Sequence, residues 1–256
     1  MTHQHRIPAW LCLCLLLAVI GTALPCPAAE ATNSPPNLDR ELATMESKLK
    51  ESLATYRLAS DYRRKCADSN QHDRAISFFR ELAAAQPEGW RAQLELSCAY
   101  VDKIPTCRGT LAVVSQGALA RKALDQADLV IARQPDLWVS HYVRGMNHLH
   151  WPRALLHAHD AVKDLSQCVA LQEKRGGQGG RPCYLKVHLA LGDAFTKAGN
   201  YKEARAAWQR GAKAFPDAKE LRARLDTPNE AAQLRLVEAQ RSLETPVDTG
   251  LSFLDE

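Results

Sequence analysis

From Leu38 onward the apolar residues fall in steps of three and four, with Leu38, Leu42, Met45, Leu49, Leu53 and Tyr56 marking one helical face. The spacing predicts a long amphipathic helix running on to about Cys66. Asp68-Ser69-Asn70 then supplies turn and capping chemistry before a second helix that starts near His72, which makes a helical hairpin. The first thirty residues follow another pattern: His3, His5 and Arg6 precede an unbroken apolar run from Trp10 to Ile20, closed by Gly21 and small residues. A run of about eleven apolar residues is roughly half of what a membrane-spanning helix needs, so a secretory signal peptide is expected in preference to a permanent anchor. Cleavage is expected after Ala28 or Ala31, within a small-any-small context.

Further along, the second helices share one frame. Ala75, Phe79 and Pro87 recur at the same spacing as Ala204, Trp208 and Pro216, and Ala123, Ala127 and Pro135 fit it too. Before the last copy, Leu191-Gly192 and Phe195 complete the signature. Gly and Ala permit close helix approach, and proline cannot continue a helix. The pattern resembles the tetratricopeptide repeat (TPR), a helical hairpin of about 34 residues. The resemblance covers roughly Tyr56 to Arg224 and is strongest from Leu185 to Pro216. It implies an all-α solenoid of about four hairpins, two of them degenerate, closed by a capping helix from Asn229 to about Leu243.

The expected domain plan is a signal peptide over 1–31, a linker and helix start over 32–55, repeats over 56–226, and a capping helix with a flexible tail over 227–256. Pro87 and Pro135 lie 48 residues apart, more than one repeat, so Asp102 to Val114 reads as an insertion. The third unit keeps Gly145, and its second helix is expected over about Ala154 to Lys174, followed by Arg175-Gly-Gly-Gln-Gly-Gly-Arg181 in place of a terminal proline. That glycine run follows a helix and lacks the Lys-Ser or Lys-Thr of a phosphate loop, so it reads as a loop.

Composition narrows the function classes. The 256 residues are 46% hydrophobic and 24% charged, enough to bury an ordinary core, while aromatics at 6% favour helices over β structure. With 33 basic and 29 acidic side chains the net charge is +4, which implies no nucleic-acid partner. Losing Met1 to Ala31 removes one base and one acid and leaves that charge unchanged. No membrane span is expected after signal cleavage, and an exported location is expected, periplasmic or envelope-associated if the source is bacterial. Leu24-Pro25-Cys26 resembles a lipoprotein box, with Cys26 a possible lipid anchor although Pro25 stands where a small residue is usual.

In an oxidising compartment, Cys98 with Cys107 and Cys168 with Cys183 are disulfide candidates, against an alternative of separate buried thiols that also holds for Cys66. His141, His148, His150, His157 and His159 fall within nineteen residues and are candidate metal or haem ligands, but they lack an HExxH spacing, and packing at a turn around Trp151 is the competing reading. No catalytic residues stand out and no cofactor is expected; the chain reads as a non-enzyme.

In the family, ligands lie along the concave face made by the first helices. Carried over position by position, that resemblance places Arg57, Ser60, Arg64, Arg91, Leu94, Tyr142, Met146, Leu149, Lys186, Leu189, Asp193 and Lys197 in the groove. Bases outnumber acids there, implying a protein or peptide partner with an acidic segment and an apolar residue or two. The asparagines of the family's carboxylate clamp are absent. The tail from Asp248 to Glu256 places Leu251, Phe253 and Leu254 beside acids and looks like a docking peptide, for this groove or another, if it is not simply frayed. The expected role is an exported scaffold for assembly or maturation; the alternative is a metal- or haem-handling accessory protein using His141 to His159.

Overall fold

The computed structural model describes residues 36–174, 182–243 and 245–255. The signal-like segment with its cleavage sites, Cys26 and the glycine-rich stretch 175–181 lie outside the described residues. Within the described residues there are eleven α-helices and no strand. They are α1 (Pro36–Glu51), α2 (Tyr56–Asp68), α3 (His72–Ala85), α4 (Trp90–Lys103), α5 (Ala112–Arg133), α6 (Trp138–His150), α7 (Ala158–Lys174), α8 (Pro182–Lys197), α9 (Tyr201–Ala214), α10 (Lys219–Leu225) and α11 (Glu230–Gln240). Consecutive helices pack as hairpins, α2/α3, α4/α5, α6/α7 and α8/α9, and α10 and α11 close the array. Among the described residues no helix is long and apolar enough to cross a membrane.

Proline makes the same turn three times. Gln86, Gln134 and Phe215, each just before a proline, adopt φ/ψ of −127°/65°, −134°/76° and −131°/71°. Proline bars its predecessor from the helical region, so each helix stops one residue earlier. In each case that predecessor's carbonyl accepts the N–H three residues on, from Gly89 at 2.8 Å, Leu137 at 3.1 Å and Ala218 at 3.1 Å, which aims the chain into the next helix.

Within the first and fourth hairpins the reversal uses a left-handed residue, Asn70 at φ 57° and Gly199 at φ 84°. Both turns carry the paired hydrogen bonds that close a helix C-terminus: Gln71 N–H to Cys66 O at 2.7 Å and Asn200 N–H to Phe195 O at 2.8 Å.

The small residues of the repeat frame sit where helices touch. A Cβ on Gly192 would lie 2.1 Å from Trp208 Nε1, so only glycine lets the indole seat against α8 and donate to Leu189 O at 3.2 Å. Gly145 meets Leu165 in the same manner, with a hypothetical Cβ at 3.0 Å. Ala75, Ala123, Ala127 and Ala204 are buried, and Phe79 packs edge-on to Tyr62 with centroids 5.8 Å apart.

Three sequence expectations need correction. The long first helix is two helices: the chain leaves the helix at 52–55, where Ser52 Oγ accepts the Ala54 N–H at 3.1 Å and Thr55 is extended. The second helix of the third unit starts at Ala158, because Pro152 and the left-handed Leu156, φ 62°, confine 153–155 to a single 3-10 turn. No disulfide joins the cysteines of the described residues. Cys98 and Cys168 are separate members of the main apolar cluster, where burial raises both thiol pKa values; Cys168 Sγ faces Trp138 O at 3.5 Å.

Candidate peptide groove

The first helices of the hairpins line one face of the array, and the segment 247–255 lies against it. Leu251 is 0% exposed and joins the main cluster with Tyr56, Leu94 and Tyr142, while Val247, Phe253 and Leu254 pack on it partly buried. The expectation of a flexible tail is thus corrected: this segment is docked, with a 3-10 turn at Ser252–Leu254.

The contacts run along the whole segment. Asp248 pairs with Lys186, whose ammonium also stands over the Phe253 ring at 4.4 Å from its centroid. Arg63 Nη2 donates to Thr249 O at 2.7 Å, and the Thr249 hydroxyl donates to Asp102. Leu251 N–H donates to Ser60 Oγ at 3.2 Å, and Phe253 meets Tyr142 edge-on with centroids 5.7 Å apart. At the end, the Asp255 carboxylate accepts the N–H groups of Tyr56 at 2.9 Å and Arg57 at 2.7 Å. These are unsatisfied donors at the start of α2, where the helix dipole also favours an anion. The helix break at 52–55 is therefore capped by a residue 199 positions away.

Arg63 is the centre of the recognition chemistry. Its side chain is 2% exposed; Nε donates to Glu95 Oε2 at 2.8 Å and Nη1 to Asp102 Oδ2 at 2.6 Å. Burial pushes the Glu95 carboxyl above the usual range, only partly offset by Arg63, and Glu95 Oε1 has no hydrogen-bond partner. The guanidinium thus joins α2, α4 and the docked segment. A cleft of about 420 Å³ opens beside it between α2 and 246–252.

The groove residues expected from the repeat frame divide into three groups. Tyr142 and Lys186 touch the docked segment by their side chains, Arg57 through its backbone N–H, and Met146 is buried in the cluster beneath. Arg64 lines the cleft but is exposed and paired with Asp61; Arg91 lies over the Tyr56 ring at 3.9 Å and bonds Leu53 O. Asp193 and Lys197 are taken by the closing helices and the turn after α6. Asp193 pairs with Arg224 at 2.6 Å and Arg241 at 3.0 Å. Lys197 donates to Leu149, Trp151 and Arg241 carbonyls at 2.7–2.8 Å, and burial pulls its pKa down to about 8. The frame missed Arg63, Glu95 and Asp102.

The five histidines do not converge. His141 bonds Asp164 at 3.1 Å and Pro135 O at 2.7 Å, and His150 bonds Met146 O at 2.9 Å. Asp164, despite its burial, is held below the usual carboxylate range by hydrogen bonds from His141 and Arg144. Burial lowers His150 to about 4. His159 is exposed, and only His148 and His157 meet, Nδ1 to Nδ1 at 2.8 Å.

No family model matches the chain. No curated protein matches it either. Among solved structures, the crystal structure of a thermophilic TPR protein in Thermus thermophilus is similar, with a TM-score of 0.53 at 20% identity over 77% of this chain and 91% of that chain. Likeness at that identity concerns the fold, and it agrees with the proline turns and close glycine contacts: the chain has a TPR-like, all-α fold of stacked helical hairpins.

Proposed function

We propose that the protein is an exported scaffold whose groove holds an acidic, partly apolar segment of an envelope or secreted protein during assembly or maturation. The carrying observation is the docked segment 247–255, which uses the groove as a peptide would: one buried leucine, one ring on Tyr142, one acid on Lys186 and one on the α2 N-terminus. A TPR-like fold suggests a protein-interaction scaffold in general, and recognition of an extended peptide by backbone bonds plus side-chain pockets is one recurring mode. The apolar run from Trp10 to Ile20 supports export. The mechanism is binding without bond chemistry.

Occupancy by the chain's own segment sets a threshold. A tethered peptide acts at an effective concentration on the order of millimolar, so a partner must bind better than the tether or arrive when the segment is displaced.

A peptide-library selection on the chain truncated before Pro246 tests this reading. The selected peptides should share an acid, then Leu, then an aromatic and a further acid, and should be lost with Lys186→Glu and Tyr142→Ala. Selection of no consensus by a folded truncated chain would sink it.

A further inference from the structure

At the turn between α6 and α7 two imidazoles meet without serving the main chain. His148 stands in the last turn of α6 and His157 one residue before α7, with their Nδ1 atoms 2.8 Å apart. Their planes are 27° apart, and His157 also stacks on Trp151 with centroids 4.2 Å apart. Asp160, exposed in the first turn of α7, brings a carboxylate oxygen within 4.8 Å of a ring nitrogen of each histidine. His141 and His150 differ: their Nδ1 atoms are spent on Asp164 and on a backbone carbonyl. Two facing Nδ1 atoms share at most one proton, so one lone pair of this pair is always turned toward the other ring.

We propose that His148 Nδ1, His157 Nδ1 and Asp160 bind a divalent transition-metal ion of the zinc class. Two imidazole nitrogens and one carboxylate oxygen suit Zn²⁺, Co²⁺ or Cu²⁺, whereas Ca²⁺ and Mg²⁺ take oxygen shells. Zinc–nitrogen bonds of about 2.0–2.1 Å at tetrahedral angles put the two nitrogens about 3.3 Å apart. The pair therefore opens by about half an ångström from 2.8 Å. The ring that carries the Nδ1 proton moves it to Nε2 and coordinates as a neutral ligand, so no proton or electron leaves.

Nearby positive charge is already matched. Arg144 is paired with Asp164 and Asp128, and Arg121 with Asp125, which leaves Asp160 to balance the ion. The three donors come from the end of α6, the link and the start of α7, so a bound ion ties the 151–157 link to both helices. A fourth position is left for water or a donor from a partner. This site stands apart from the groove and does not depend on the peptide reading.

The test titrates the full chain, stripped with chelator, with ZnCl₂ by calorimetry and with Co²⁺ while following its visible d–d bands. The expected result is one equivalent bound, with a higher melting temperature in the presence of Zn²⁺. Asp160→Asn changes an exposed side chain and should weaken binding about tenfold or more, since even residues that merely support a ligand are worth 10–100-fold. His148→Gln with His157→Gln should abolish it. Absence of binding to the folded wild type overturns the proposal. So does binding that survives both Asp160→Asn and the double histidine change at unchanged helicity, which would place the ion elsewhere, for example on His3 and His5. Should the histidine variant fail to fold, Asp160→Asn alone decides.

Discussion

Shortening Leu251 to alanine probes whether the docked segment is a replaceable ligand or a fixed part of the core. Leu251 has no exposed surface, and its N–H is held by Ser60 Oγ at 3.2 Å. Leu→Ala removes three carbons' worth of buried surface, about 2–3 kcal/mol at roughly 0.8 kcal/mol per methylene. At about 1.4 kcal/mol per tenfold, the docked-to-released ratio falls about 30- to 150-fold. A labelled peptide spanning Asp248–Glu256 competes with the tether, so its apparent affinity for the full-length Leu251→Ala chain should rise by up to that factor. Fluorescence anisotropy reads the change directly. Equal peptide affinity for the wild type and the variant would refute the reasoning. A single cooperative unfolding transition lowered by the whole cost of a core cavity, with no gain in peptide binding, would show instead that the segment belongs to the core.

Other outcomes follow from the packing and the charges. Gly192→Ala forces a Cβ to within 2.1 Å of Trp208 Nε1, so it should cost about 3 kcal/mol and lower the calorimetric melting temperature by roughly 6–12 °C; an unchanged value would deny the close helix contact. Arg63→Ala strands Glu95 in the interior and takes a donor from the part-buried Asp102, and should cost about 3–5 kcal/mol in urea unfolding, part of which Glu95→Gln should restore in the double variant. The pH dependence has a definite sign. His150 is held at about 4 by burial and by Arg241 and Lys197, against the opposing Met146 carbonyl and Asp193, while the unfolded value is about 6.5. The neutral form is favoured on folding, so this contribution is complete above pH of about 6.5 and is lost as pH falls toward 4, at most about 3 kcal/mol. His148, also lowered to about 4 by burial and by His157, acts in the same direction. Melting temperatures should fall across that window, and His150→Gln should flatten the fall.

The repeats were legible because their signals are local. A proline fixes its predecessor, and the Gly192–Trp208 contact needs only a small residue and a knob at the right helical phase. The helix break before Tyr56 was illegible for the opposite reason, since its cap is the distant Asp255. The frame placed Arg64 in the groove, but the side chain that works there is Arg63, one position and about 100° of helix away. Glu95 and Asp102, seven apart on one face of a mostly apolar helix, were the available hint that a buried base would meet them. Asp193 and Lys197 do lie four apart on α8 as the frame requires, yet Arg224 of α10, Arg241 just past α11 and the carbonyls at the end of α6 consume them, which periodicity alone does not encode. The histidine spacing likewise gave a cluster in sequence, of which backbone and carboxylate partners leave only His148 and His157 together.

The most direct measurement of the central claim is the dissociation constant of the Asp248–Glu256 peptide for the chain truncated before Pro246, set beside its value for the full chain. The account predicts saturable one-to-one binding to the truncated chain, weakened by Lys186→Glu and Arg63→Ala, and binding to the full chain that is weaker by orders of magnitude. A folded truncated chain that does not bind the peptide, or full and truncated chains that bind it equally, would contradict the account.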